Sequence, residues 1–243
     1  MRIKALGLGA VVALVVLCCG LPALAQDVVS VQFTGGYTTT WGNSGGNYGA
    51  GIYSGTINGA SSPGIICDDF NDEITSGETW NANAYQASSL TASNIDETLF
   101  GKTVGITGYA EVGTLVSMMF NNSTTYGSLT GITQAELSSA IWDITAPGGI
   151  SGLDANALAL VVAVEGVYNG NSSLAQSYLA TLTNLWILTP NPEGPGEPQE
   201  MWTENLSVPE GGTALMYLLL AGLSCFGAML FNSKNRLRRD VTA

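Results

Sequence analysis

Thr133-Gln134-Ala135-Glu136-Leu137-Ser138-Ser139-Ala140-Ile141-Trp142 is the stretch that decides the fold class, because it begins a helix in a chain whose flanks read as strands. Thr133 is a favourable N-cap, and Glu136 stands three positions on. That is the spacing of a capping box, in which each residue satisfies an orphan backbone N–H of the other. Leu137, Ala140 and Ile141 follow at helical spacing, and Pro147-Gly148-Gly149 ends the segment. Upstream, Val112, Leu115, Val116, Met119 and Phe120 predict a helix over 111–120. Downstream, Asp154 caps a helix running through Val167, and Asn171 or Ser172 caps another through Leu182.

Strand patterns lie on either side. Val28 to Phe33 alternates, Gly51 to Ile57 reads as a second strand, and Gly42 to Asn47 between them carries turn chemistry. Ile65-Ile66-Cys67 looks like a buried strand end, and Leu185-Trp186-Ile187-Leu188 returns to strand. Strands, then helices, then strand predict an α+β ectodomain over 26–188 with helices segregated to one side. Residues 189–207 open with Thr-Pro-Asn-Pro-Glu-Gly-Pro-Gly-Glu-Pro, a stiff extended linker. The alternative there is an edge strand over Gln199-Glu200-Met201-Trp202.

The two ends read as addresses. Arg2 and Lys4 precede an apolar run from Ala5 to Gly20, and Ala23-Leu24-Ala25 offers the small residues that signal peptidase needs. Residues 1–25 are therefore expected to be a signal peptide, leaving Gln26 as the mature N-terminus. At the other end Val208-Pro209-Glu210 precedes Thr213 to Phe231, 19 residues without a charge. That is long enough to cross a hydrocarbon core of about 30 Å as one transmembrane helix. Lys234, Arg236, Arg238 and Arg239 close the chain and would hold that end on the cytoplasmic side.

Between the ends, residues 26–207 hold seventeen Asp and Glu against one basic residue, Lys102. Such a surface repels phosphate backbones, so nucleic-acid partners are excluded. The chain has no histidine, which removes Ser-His-Asp and Cys-His catalysis and the His-bearing zinc sites. Cys18 and Cys19 fall in the leader and Cys225 in the apolar tail. Cys67 is thus the lone outer thiol and has no intrachain disulfide partner. Asp68, Asp69, Asp72 and Glu73 are dense in hard oxygen ligands and could hold Ca²⁺. They lack the glycine and spacing of an EF-hand, and a solvated acidic face is the competing reading. No other cofactor is indicated. Tyr37, Trp41, Tyr48 and Tyr53 can stack on sugar rings or pack in a core. Trp80 and Trp142 read as core. The paired carboxylates form no recognisable glycosidase motif.

The order of motif, apolar span and basic end resembles the PEP-CTERM sorting signal of Gram-negative bacteria, over residues 208–239. The resemblance implies processing by an exosortase, with Val208, Pro209 and Glu210 as the recognised motif. It also implies delivery through an inner-membrane intermediate to the cell envelope, surface or extracellular matrix. Cys67-Asp68-Asp69-Phe70 together with Ala140-Ile141-Trp142 is similar to signatures of PEP-CTERM surface proteins and, more distantly, resembles the thioester domains of Gram-positive adhesins. In those domains a cysteine is joined to a glutamine four residues before the tryptophan. Here that position is Ser138, which has no amide to expel. Gln134 lies one turn earlier, about 6 Å along the axis. The expected function is that of a non-enzymatic structural or adhesive surface protein. A covalent adhesin with a Cys67–Gln134 thioester and an exopolysaccharide-binding or processing protein are the alternatives.

Overall fold

Val29, Val31 and Phe33 are buried while Val28 and Ser30 face out, the period of two that makes a strand half-covered by a core. This strand, β1 (Asp27–Asn43), runs on past the predicted end at Phe33 and pairs antiparallel with β2 (Gly46–Ile57), out to Asn43 opposite Gly46. The computed structural model describes residues 27–43, 46–147, 150, 152–192 and 198–206. The signal segment 1–25, the motif Val208-Pro209-Glu210, the apolar stretch 213–231 and the basic tail 234–239 lie outside the described residues. Among those described, no helix is long and apolar enough to cross a membrane.

β3 (Ala60–Ser61) and β4 (Ile65–Cys67) follow, then β5 (Thr79–Gln86). A helical layer comes next. Its first member, α1 (Gly101–Phe120), breaks at Gly105, where φ is +63°. A small hairpin of β6 (Thr125–Tyr126) and β7 (Leu129–Thr130) leads to α2 (Gln134–Thr145), α3 (Ala155–Tyr168) and α4 (Ser172–Leu179). β8 (Leu185–Pro190) and β9 (Met201–Glu204) return to the sheet. The fold is α+β, as the order of patterns predicts.

The caps expected from the sequence are all present. Thr133 Oγ1 accepts from the Glu136 N–H, and Glu136 Oε2 accepts from the Thr133 N–H. Asp154 Oδ1 accepts from the N–H groups of Asn156 and Ala157, and Asn171 Oδ1 from that of Leu174. The capping glutamate also ties two helices together, because Asn156 Nδ2 donates to Glu136 Oε1 at 2.7 Å.

The seven-stranded sheet has the order β1-β5-β8-β9-β4-β2-β3, with every pairing antiparallel, and β1 also pairs with β2. The hydrogen-bonded ladder therefore closes on itself through six strands, and β3 is a two-residue appendage. Closure removes the open edges that invite aggregation. α2 packs on β1 and β2, and α1 packs against α2 and α4.

Two expectations are corrected. The domain does not stop at residue 188, and residues 199–207 are not all linker. β9 is also no edge strand: it lies between β8 and β4, with Met201, Trp202 and Thr203 buried. The physical reason is local. Pro and Gly are dense just before this strand, while Met-Trp-Thr is too short to show a period of its own. Trp202 stacks near Tyr109 of α1, with ring centroids 6.1 Å apart. A Cβ on Gly113 would lie 3.6 Å from the Trp202 ring and 2.8 Å from Leu182 Cδ1, so helix, strand and the end of α4 meet closely there.

Trp202→Ala is expected to cost roughly 3–5 kcal/mol, read as a lower urea midpoint, because it leaves a cavity at this junction. Trp202→Phe keeps most of the bulk and should cost about 1–3 kcal/mol, through the hydrogen bond that its indole makes to Asp68.

Candidate functional site

The segment after β4 sends successive carboxylates in different directions. Asp68 turns toward α1 and β9, where its Oδ2 accepts from Trp202 Nε1 at 2.7 Å. Beside it is Glu200, whose Oε1 accepts from the Tyr109 hydroxyl at 2.5 Å and whose Oε2 accepts from the Leu99 N–H at 2.9 Å and from the Thr189 hydroxyl. Tyr109 in turn receives the Phe100 N–H at 3.1 Å. Asp68 and Glu200 are both fully buried. Burial raises both carboxyls above the usual range, and Glu200 raises Asp68 further. Three donors favour the charge on Glu200, whereas the Asp68 side chain accepts one hydrogen bond and its Oδ1 has no partner. Of the two, Asp68 is the carboxyl whose neutral form burial and the Glu200 charge favour more strongly.

Asp69 turns the other way. Its Oδ1 accepts from the Asn71 N–H at 2.9 Å and the Asp72 N–H at 3.4 Å, and its Oδ2 is buried without a partner. Burial pushes its pKa up to about 6, against the pull of those amides. The proposed calcium ligands Asp68, Asp69, Asp72 and Glu73 are thus divided. Among the described residues, no three acidic or thiol groups converge where a metal could be held.

Cys67 and Gln134 are not brought together. The Cys67 thiol is buried and donates to the Asp69 carbonyl at 2.9 Å. Burial first, then the neighbouring carboxylates, raise it well above the usual thiol range, which leaves it a poor nucleophile. Trp142 is the α2 residue beside it, donating Nε1–H to the Cys67 carbonyl at 3.0 Å. Gln134 stands two turns back, about 12 Å along the helix. There its Oε1 accepts from the Thr38 hydroxyl and its Nε2 donates to Asn122 Oδ1 at 3.4 Å. Ser138, where the thioester pattern places glutamine, instead joins helix to sheet, its Oγ accepting from the Gly51 N–H at 2.8 Å. Gly51 has φ +84°, and a Cβ there would lie 2.1 Å from Thr38 Oγ1 of β1 and 2.7 Å from Gln134 Oε1 of α2, so the close approach of these elements requires glycine.

The aromatic residues do converge. A cavity of about 240 Å³ is lined by Phe33, Tyr37, Tyr48, Tyr53, Phe70 and Trp142. Asp69, Asp72, Glu73 and the amides of Asn47 and Gln199 complete its polar side. Tyr48 and Phe70 lie 5.0 Å apart by ring centroid, Phe70 and Trp142 5.5 Å, and Phe33 and Tyr53 5.7 Å. The β1 register shifts on both sides of Tyr37, and bulges of this kind re-aim a side chain. Tyr37 is 51% exposed. Trp41 packs behind, 6.1 Å from Trp142, and Trp80 is core, as expected for it and for Trp142. Sequence reading singles out Tyr37, Tyr48, Tyr53 and Asp69 but not Phe33, Phe70 or Trp142 as lining, and it misses Glu200, the central partner of Asp68. Its one signal is a glutamate placed directly before Met-Trp-Thr.

No protein-family model, curated protein or solved structure matches the chain.

Burial also pushes Glu111 up to about 7, with the Glu165 charge adding to it. The folded state thus keeps protons on Asp69 and Glu111 that the unfolded chain releases in the ordinary carboxylate range, near pH 4, and burial shifts Asp68 in the same direction. The stability from Asp69 and Glu111 is complete below that range and is lost as pH rises through about 6 and 7. A higher melting temperature at pH 5 than at pH 8 is expected, with the difference reduced in Asp68→Asn and Glu111→Gln. For Cys67 and Gln134, intact-mass spectrometry should return the unmodified mass; a value lower by one ammonia would show a thioester.

Proposed function

We propose that the chain is a non-enzymatic, exported surface or extracellular-matrix protein that adheres through the aromatic pocket, with carbohydrate as its partner. The observation that carries this reading is the pocket's composition. Aromatic faces, amides and carboxylates surround a cavity that no activated nucleophile enters. The Cys67 thiol is bonded to a backbone carbonyl, and the Asp68–Glu200 pair is enclosed between sheet and helix. A binding cavity of this kind needs flat apolar faces with a few fixed polar groups, and both are present. The covalent-adhesin alternative has less support, because Gln134 is bonded elsewhere.

Export and sorting belong to the same proposal and are supported by the sequence of the two ends. Signal peptidase would act after Ala25, and an exosortase would act at Val208-Pro209-Glu210. The apolar stretch 213–231 would be a transient anchor, and the acidic ectodomain would be delivered to the envelope or the matrix outside it. The test is fractionation of cells expressing the full chain. The tail-free ectodomain is expected in the envelope or medium. The triple change V208A/P209A/E210A should leave a longer, membrane-held form. Equal distribution of the two proteins would count against sorting through this motif.

A further inference from the structure

The polar lining of the aromatic pocket is one-sided. Three of its residues have their donors engaged by backbone carbonyls. Trp142 Nε1–H goes to Cys67 at 3.0 Å, the Tyr53 hydroxyl to Gly49 at 2.7 Å, and the Gln199 amide to both Asp69 and Asp72. The Asn47 amide and the Tyr37 and Tyr48 hydroxyls line the cavity as well, so what sets it apart is its charge: carboxylates stand beside the π-faces and no cationic side chain lines it. Asp69 is 1% exposed, and its Oδ2 has no hydrogen-bonding partner. Asp72 and Glu73 add further carboxylates to the same wall. Lys102, the single basic residue between 26 and 207, is not among the lining residues.

A cavity that sets carboxylates, one of them an unpartnered buried oxygen, beside clustered aromatic faces selects a guest that brings positive charge and its own donors. Neutral hydroxyls satisfy this poorly, because each is as much acceptor as donor. An ammonium group is all donor, and a compact pyranose ring can lie on the Tyr and Trp faces. We infer that the pocket recognises a polysaccharide unit carrying a free, protonated amine, an amino sugar of the glucosamine class. Its ammonium sits at Asp69 and its ring lies against the aromatic lining. The inference rests on the carbohydrate-adhesion reading above and narrows it to a substrate class.

Isothermal titration of the full-length protein in detergent, at physiological salt, tests it with four probes. These are short β-linked oligomers of glucosamine, of N-acetylglucosamine and of glucose, and a lysine oligomer of matching charge. The glucosamine oligomer should bind saturably and at least about tenfold more tightly than the other three, consistent with the worth of a partly desolvated cation–π contact. Asp69→Asn, which keeps an oxygen for the Asn71 and Asp72 amides, should lose about tenfold. Tyr37→Ala, at an exposed position that leaves the core intact, should also weaken binding. Equal binding of the glucose or N-acetylglucosamine oligomer overturns the amine requirement and leaves carbohydrate adhesion standing. Equal binding of the lysine oligomer, or glucosamine binding unaffected by both variants, reduces the effect to general attraction by the acidic surface and overturns the site. No binding by any saccharide overturns the inference and the adhesion reading together.

Discussion

Two carboxyl groups taken out of water between sheet and helix are the constraint around which this fold is organised. An isolated buried carboxylate is too costly to keep, so Asp68 and Glu200 demand a specific surround. Tyr109 from α1, Thr189 from β8, the Leu99 amide and Trp202 from β9 supply it. The cluster therefore joins the loop after β4, the first long helix and the two last strands. Such a network rewards one arrangement and penalises partial versions, because each missing donor leaves charge unpaired in a low dielectric. Nearby hydrophobic contacts supply most of the stabilisation. The carboxyl pair determines which strands must be neighbours.

The cluster also separates the two faces of the segment 67–70. Asp68 belongs to the interior and Asp69 to the pocket, one residue apart, because the loop after β4 turns their side chains in different directions. A run of acidic residues that looks like one ligand set in a linear sequence is thereby split into a buried structural member and members that line the cavity. The same turn of the chain gives Cys67 its surroundings. Its thiol is closed off by Asp69 while Trp142 holds its carbonyl. Chemistry at sulfur is suppressed by the packing that shapes the pocket.

Legibility followed the range of the forces. Thr133, Asp154 and Asn171 were readable as caps because a cap is settled within four residues. The alternation from Val29 to Phe33 was readable for a similar reason. β5 was not: Trp80-Asn81-Ala82-Asn83-Ala84 carries small residues and asparagines that are poor strand formers alone. It is a strand because β1 and β8 flank it. β9 was obscured further, since its partner Cys67 and the acceptor of the Trp202 indole lie far back in the chain, 134 residues in the case of Asp68. At the site, residue types were visible but directions were not. Nothing local tells that Asp68 turns from Asp69, or that Gln134 looks toward Thr38 rather than Cys67.

The place of β9 inside the ring has a mechanical consequence. Two residues after β9, the described part of the chain ends. Tension transmitted from that side enters at an element bonded to β8 on one flank and β4 on the other. An edge strand yields to such a pull by peeling one ladder, bond after bond. An interior strand must break both ladders and drag Trp202 away from Asp68. Among the described elements, the last strand is thus held on both flanks against a pull from its C-terminal side.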